Sequence, residues 1–187
     1  MKSFKALLYI STIMGIVMTT SCSDDDPIIE NEEELITTVI YRMSPVGGGS
    51  DVEFQFSDPD GDGGEAPTFS TEALAANTAY TGSLIFLDES GEETEDITEE
   101  IEEEDEEHQV FYVVTGNSLQ ISYNDMDEDG NPIGLSTTVN ATDSGTGNLT
   151  IILRHEPIKE NSGVADGDPT NAEGETDIEV TFNYTVE

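Results

Sequence analysis

The chain has 187 residues, and its 42 aspartates and glutamates against five lysines and arginines give a formal net charge of −37. A protein this acidic repels nucleic-acid phosphates and anionic lipid headgroups, and it attracts cations and basic partners. Nucleic-acid binding is therefore excluded. The length is enough for one domain with a hydrophobic core, even after removal of an N-terminal signal.

The first 21 residues have the pattern of a signal peptide. Lys2 and Lys5 precede an apolar run over residues 6–18, which is too short to span a membrane. The run is followed by the letters TTSC, and Cys22 is the one cysteine of the chain. A lone cysteine in an exported protein calls for an explanation, because an exposed reactive thiol is a liability.

The TTSC motif resembles the lipobox of bacterial lipoproteins, in which the cysteine is acylated and becomes the first residue after cleavage. The SDDD that follows, residues 23–26, resembles the acidic tract of surface-exposed lipoproteins of Bacteroidota. The resemblance implies a protein held in the outer membrane by lipid on Cys22 and exposed at the cell surface. Two or three acyl chains make such an anchor lasting. A secreted protein with a free cysteine is the alternative.

The rest of the chain divides into a tether and a domain. Residues 22–33 are acidic, contain Pro27 and lack hydrophobic periodicity, which predicts a lipidated acidic tether after the signal peptide of residues 1–21. Residues 34–187 are predicted to form a single domain, because strand signals continue to the C-terminus.

About eight strands are predicted, and short glycine-rich turns between many of them suit antiparallel hairpins. The strands cover residues 34–43, 51–57, 80–88, 109–115, 118–124, 134–142, 147–155 and 177–186. In the last strand Asp177 begins the polar set that is expected to face solvent. The number and spacing of the strands predict an all-β fold, an antiparallel β-sandwich of immunoglobulin-like architecture.

The segment over residues 92–107, called here the acidic segment, interrupts this pattern with twelve acidic residues in sixteen. Ile97 and Ile101 lie four positions apart and could dock a short helix on the sandwich. Repulsion between like charges opposes that helix, so a solvated acidic loop is the alternative.

Antiparallel strands place successive connections at alternate ends of a sandwich. Counted in this way, one end gathers the 45–50 turn, the acidic segment, the 125–132 loop and the 156–175 loop, while residues 58–79 lie at the other end. His108 and His155 belong to the first end. We expect the tether at the opposite end, so that the histidines point away from the membrane.

Two histidines and many carboxylates at one rim predict a transition-metal site, because imidazole and carboxylate together suit zinc, copper or iron. The candidate ligands are His108, His155, Glu104, Glu107 and Glu156. The alternative is a core role for each histidine, since both share a strand face with apolar residues.

Two aspartate-rich loops predict calcium binding, since each has Asp at positions 1, 3 and 5 and Gly at position 6. The candidate ligands are Asp58, Asp60, Asp62, Glu65, Asp125, Asp127, Asp129 and Asn131. Neither loop has Glu at position 12, so the expected affinity is that of weak extracellular modules, about 10⁻⁴–10⁻³ M. Ordinary turns are the alternative.

The sequence contains no nucleophile elbow, zinc-protease motif, P-loop or dinucleotide fingerprint, and we predict that the protein is not an enzyme. Two functions remain. One is a surface lipoprotein that captures a cation or small ligand as an accessory to an outer-membrane transporter. The other is a non-catalytic structural or protein-interaction module stabilised by calcium.

Stretches such as EDITEEIEEEDEEHQVFY (95–112) and YNDMDEDGNPIGL (123–135) resemble a group of small lipoproteins from Bacteroidota. The group carries the label type 1 periplasmic binding fold superfamily, which implies a doubly wound α/β fold with two lobes. The alternating strands of this chain instead predict an all-β domain. The resemblance supplies no catalytic or binding residues.

Overall fold

Alternating side chains build most strands, with one face in the core. The computed structural model describes residues 35–61 and 64–187. In it, Val52 and Phe54 are buried on one strand, and Val180 and Phe182 are buried on another. The strands are β1 Thr38–Pro45, β2 Val52–Ser57, β3 Thr68–Thr71, β4 Thr78–Asp88, β5 Glu95–Asp96, β6 His108–Thr115, β7 Leu119–Tyr123, β8 Ser136–Ala141, β9 Gly145–His155 and β10 Glu175–Val186. One α-helix, α1 Ile97–Glu103, and a 3₁₀ turn, Pro169–Asn171, complete the elements. Among these described residues, no helix is long and apolar enough to cross a membrane.

The strands form two antiparallel sheets. The first has the order β3-β2-β1-β4-β8-β7, with β5 beside β4, and the second has the order β10-β9-β6. Side chains of both sheets share one hydrophobic core, including Phe86 and Val139 from the first and Leu149 and Phe182 from the second. The predicted all-β sandwich is confirmed, whereas its immunoglobulin-like architecture stays a prediction.

All eight predicted strands are present, with ends displaced by a few residues. The structure adds β3 and β5, which the sequence did not indicate. Every residue of these two short strands is exposed, so neither contains the alternation of buried and exposed side chains that marks a strand.

The acidic segment contains the predicted short helix, α1. Asp96 caps its N-terminus by accepting a hydrogen bond from the Thr98 N–H at 3.1 Å. Ile97 and Ile101 are both buried against the sandwich. The Thr98 hydroxyl also donates to the Phe86 carbonyl at 3.2 Å. Docking on β4 therefore stabilises a helix that its own charges oppose.

The strand β3 changes which connections share an end. Strand β2 runs antiparallel to β1, and β3 runs antiparallel to β2. With this additional strand in between, β4 runs antiparallel to β1, and Leu87 lies opposite Thr38. The acidic segment consequently starts where β1 begins, at the end opposite the 45–50 turn. The expectation that this turn lies at the histidine end is wrong. The expectation for residues 58–79 is wrong in part, because Ser57 and Thr68 lie beside Thr38 and the connection over residues 58–67 is therefore at the histidine end. The tether was also expected at the opposite end, but the described chain enters the domain at the histidine end.

The second sheet is covered on both faces. One face contributes to the main core, and on the other Phe111 and Ile152 pack against Val164 and Ala172. The latter two residues belong to the long connection between β9 and β10. This connection returns to the sheet and buries the strands that carry both histidines.

Gly147 of β9 is required by a close approach of two backbones. A Cβ atom at this position would lie 2.0 Å from the Thr115 carbonyl oxygen, whereas one at Gly91 would meet its nearest atom, the Glu93 carbonyl oxygen, at 3.5 Å. We expect Gly147→Ala to lower the free energy of unfolding by about 2 kcal/mol or more, because the paired strands must separate. Gly91→Ala should change it by less than about 0.5 kcal/mol. Equal losses in chemical denaturation would contradict this account.

Candidate metal centre

The two histidines lie side by side at one end of the second sheet. His108 is the first residue of β6 and His155 the last residue of β9, and the two are direct cross-strand partners. Their ring centroids are 4.5 Å apart with a tilt of 39°. Both are buried, His108 with 0% and His155 with 2% of its surface exposed. They continue the inward-facing rows of Val110 on β6 and Leu153 on β9.

A β-bulge in β10 brings a carboxylate to this pair. The pairing of β10 with β9 shifts between Thr176, opposite Arg154, and Ile178, opposite Leu153, which makes Asp177 the extra residue. A bulge redirects the side chain that it inserts. The Asp177 side chain has no exposed surface, and its Oδ1 lies 3.9 Å from His155 Nδ1. The expectation that Asp177 faces solvent is wrong because simple alternation does not continue through a bulge.

His108, His155 and Asp177 together form a possible metal-ligand set. One ligand atom from each lies within 4.8 Å of the other two. A tetrahedral zinc ion with bonds of about 2.0–2.2 Å holds its ligands about 3.3 Å apart, so small side-chain rotations would close the set around an ion. Two imidazoles and one carboxylate suit zinc or iron and leave at least one further coordination position for water or a fourth ligand.

The surroundings of the rings indicate which nitrogens could face an ion. His108 Nδ1 lies 3.1 Å from the Glu104 carbonyl oxygen, which can only accept a hydrogen bond. His108 Nδ1 therefore carries the proton, and Nε2 is the nitrogen that can coordinate. On His155, Nδ1 faces Asp177, while Nε2 lies 3.9 Å from Glu107 Oε2. Metal-ligating histidines commonly direct their other ring nitrogen to a carbonyl or carboxylate in this way.

The three glutamates predicted as ligands take other positions. Glu104 follows α1 and approaches His108 with its backbone carbonyl. Glu156 is exposed, and its N–H donates to the Glu107 carbonyl at 2.7 Å. Glu107 alone of the three has a carboxylate oxygen recorded near a histidine ring. Metal binding stays a prediction, with Asp177 as the carboxylate that sequence reasoning missed.

An acidic groove lies beside this cluster. Residues 102–107 and Glu128 line a cavity of about 410 Å³. Carboxylates gathered in a cleft concentrate negative potential and raise the local concentration of cations. Glu107 both lines the groove and lies beside His155, so the groove is next to the buried cluster.

A buried lysine holds the loops of this end together. Lys159 is 3% exposed, and its Nζ donates to Asp127 Oδ2 at 2.9 Å and to the Asp105 carbonyl at 2.5 Å. Burial alone would raise the pKa of Asp127, but hydrogen bonds from Lys159 and Asn131, with the lysine charge, lower it below 3.8. No sequence motif marked Lys159, although it is one of only five basic residues.

The predicted calcium loop over residues 125–131 is supported by contacts within the protein. Asp125 accepts hydrogen bonds from the N–H groups of Gly134 at 3.0 Å and Ser136 at 2.7 Å. Asp127 accepts from the N–H groups of Asp129 and Asn131 and also pairs with Lys159. These contacts account for the loop conformation without an ion. Calcium binding here stays a prediction.

The other predicted calcium loop is described only in part. Asp60 accepts a hydrogen bond from the Glu65 N–H at 2.7 Å, as in an ordinary turn. Asp58 lines a cavity of about 400 Å³ together with Asp60 and Glu65. The candidate ligand Asp62 lies outside the described residues, as does Cys22, the predicted site of lipidation.

Comparison of the chain with protein-family models, with curated proteins and with solved structures found no match. Function therefore has to be argued from the chemistry of the site itself.

Removing one partner of the Lys159–Asp127 pair should strongly destabilise the fold. We expect Lys159→Met to lower the free energy of unfolding by about 3–5 kcal/mol, because it leaves a buried carboxylate without its cation. Glu53→Gln is the control: the Arg42–Glu53 pair has side chains that are 43% and 41% exposed, and its loss should cost less than about 1 kcal/mol. Similar losses in urea denaturation would contradict the assigned role.

The same pair predicts a pH dependence. Because the folded pKa of Asp127 is lowered, its contribution to stability is present above the unfolded pKa of 3.8 and is lost as the pH falls through the folded pKa. The difference in unfolding free energy between wild type and Asp127→Asn should therefore shrink below pH 3.8. A difference that stays constant down to pH 2, about two units lower, would rule out ionised Asp127 as its source.

Proposed function

We propose that this protein is an exported, lipid-anchored β-sandwich that captures a divalent transition-metal ion at His108, His155 and Asp177. The observation that carries the proposal is the buried cluster of two imidazoles and one carboxylate within 4.8 Å. Three chemically suitable ligands from three different strands converge there, which supports binding at one point.

The donor set favours particular ions. Imidazole nitrogen suits zinc, copper, nickel and iron, whereas calcium and magnesium prefer shells made of oxygen ligands. A single carboxylate and two neutral imidazoles also leave an ion with positive charge, which the neighbouring acidic groove would offset. We therefore propose zinc or a similar transition metal as the ion, with calcium as a poor competitor.

The chain's charge supports capture rather than catalysis. The formal net charge of −37 attracts cations over the whole surface, and the groove of residues 102–107 concentrates that attraction beside the histidines. We propose a non-enzymatic role in which the ion is collected and then transferred, for example to an outer-membrane transporter.

Anchoring at the outer membrane is part of the same proposal. Its support is the signal-peptide pattern, the TTSC motif with Cys22, and the likeness to surface lipoproteins of Bacteroidota. The described chain enters the domain at the histidine end, so a partner held in the same membrane could reach the site from the anchored side.

Zinc titration of the full-length chain, purified in detergent and stripped of metal, tests the proposal. Wild type should bind one zinc ion, measured by competition with a chromophoric chelator. His108→Ala, His155→Ala and Asp177→Asn should each weaken that affinity at least about tenfold, because each removes one of three ligands.

Asp143→Asn provides the matched control, because it removes the same charge from an exposed hairpin at the other end. Its zinc affinity should equal that of wild type, and circular dichroism should confirm that all variants are folded. Zinc binding that is unchanged in the histidine variants would refute the proposal. A melting temperature raised by calcium, without histidine-dependent zinc binding, would favour the calcium-stabilised module instead.

A further inference from the structure

His155 lies between two carboxylates that differ in environment. Asp177, on the Nδ1 side, has a fully buried side chain, and Glu107, on the Nε2 side, has a side chain that is 55% exposed. Both carboxylate oxygens lie 3.9 Å from their ring nitrogen. The nitrogen atoms of an imidazole point in different directions, so a single ion cannot bind both. An ion on the Nδ1 side of His155 would meet Asp177, and Glu107 would then face the other ring nitrogen.

We propose that Glu107 is a positioning residue of this centre. Its carboxylate accepts a hydrogen bond from the Nε2–H of His155, which leaves the lone pair on Nδ1 free to coordinate the ion. This inference rests on the proposed function, because it assigns a role at the same metal site. It makes Asp177 the ligand and Glu107 the outer partner.

The backbone around Glu107 is fixed where this role requires it. The Glu107 N–H donates to the Glu104 carbonyl at 2.9 Å, and the Glu107 carbonyl accepts from the Glu156 N–H at 2.7 Å. The side chain remains half exposed and can rotate. A distance of 3.9 Å exceeds a hydrogen bond, and a small rotation of the side chain or one bridging water completes it.

The two histidines are then held in opposite tautomers. His108 carries its proton on Nδ1, because that atom faces the Glu104 carbonyl oxygen. His155 carries its proton on Nε2, facing Glu107. This opposition lets two rings that extend from paired strands present different nitrogens to one ion. An accepting carboxylate also makes an imidazole a more basic ligand, and loss of such a partner commonly costs 10- to 100-fold in metal affinity, as an order of magnitude.

Glu106 supplies a matched control. It is exposed, lines the same groove and carries the same charge, whereas the carboxylates near His155 belong to Glu107 and Asp177. In full-length protein, Glu107→Gln should weaken zinc binding about 10- to 100-fold. Glu106→Gln should change it less than about threefold, since it alters only the screened field of the groove.

Nitrogen-15 NMR of the zinc-bound protein supplies a readout that a purely structural role would not change. The chain has two histidines, so His108→Ala assigns both rings. We expect zinc on Nε2 and the proton on Nδ1 for His108, and zinc on Nδ1 and the proton on Nε2 for His155, with the His155 signals altered by Glu107→Gln and not by Glu106→Gln.

The outcomes separate the two proposals. If wild type binds zinc through its histidines but Glu107→Gln and Glu106→Gln behave alike, the role of Glu107 is refuted and the metal site stands. Coordination of zinc by Nε2 of His155, with the proton on Nδ1, would refute the positioning role in the same way. If wild type shows no histidine-dependent zinc binding, the proposed function fails and the role of Glu107 at a metal centre fails with it.

Discussion

The register between β6 and β9 is the constraint on which the candidate centre depends. Eight consecutive residue pairs, from His108 opposite His155 to Thr115 opposite Asn148, join these strands. A slip of one residue would turn one histidine to the other face. The register is protected because both faces are buried, one by the main core and the other by the long β9–β10 connection. Burial of ordinary hydrophobic residues thus fixes where the two imidazoles meet.

Electrostatics shape the same end of the molecule in two ways. Repulsion among the carboxylates of the acidic segment opposes folding, and the structure offsets it by docking Ile97 and Ile101 and by burying the Lys159 ammonium beside Asp127. The carboxylates left at the surface face a groove that attracts cations. Lys159 therefore keeps charged loops close to the histidines without neutralising the groove itself.

The candidate centre combines protection with access. The side chains of His108, His155 and Asp177 are nearly inaccessible, which would shield an ion from competing ligands in solution, whereas Glu107 lies between His155 and the exposed groove. Such an arrangement suits capture from dilute solution, because charge collects ions outside and imidazole selects among them inside. Attraction of cations and selection among them thus fall to different groups, whereas a row of exposed carboxylates would attract cations without selecting transition metals.

From the sequence, the eight main strands and the shared end of the two histidines could be predicted, because each follows from local periodicity or from counting antiparallel strands. For the acidic segment the sequence left a helix and a loop open, and docking on the sandwich decided for the helix. The short exposed strand β3 was missed, and the expected end of the 45–50 turn was consequently wrong. Asp177 could not be found, since a bulge is decided by the pairing of β10 with β9 and leaves its residue looking like part of a polar face. Lys159 was missed for a similar reason: its partners are 32 and 54 residues away in the chain, and only folding brings them together.

Local patterns determined the elements and the residue types of the site. The tertiary structure alone decided which carboxylates meet the histidines and which groups face each ring nitrogen, because these contacts join residues from separate strands.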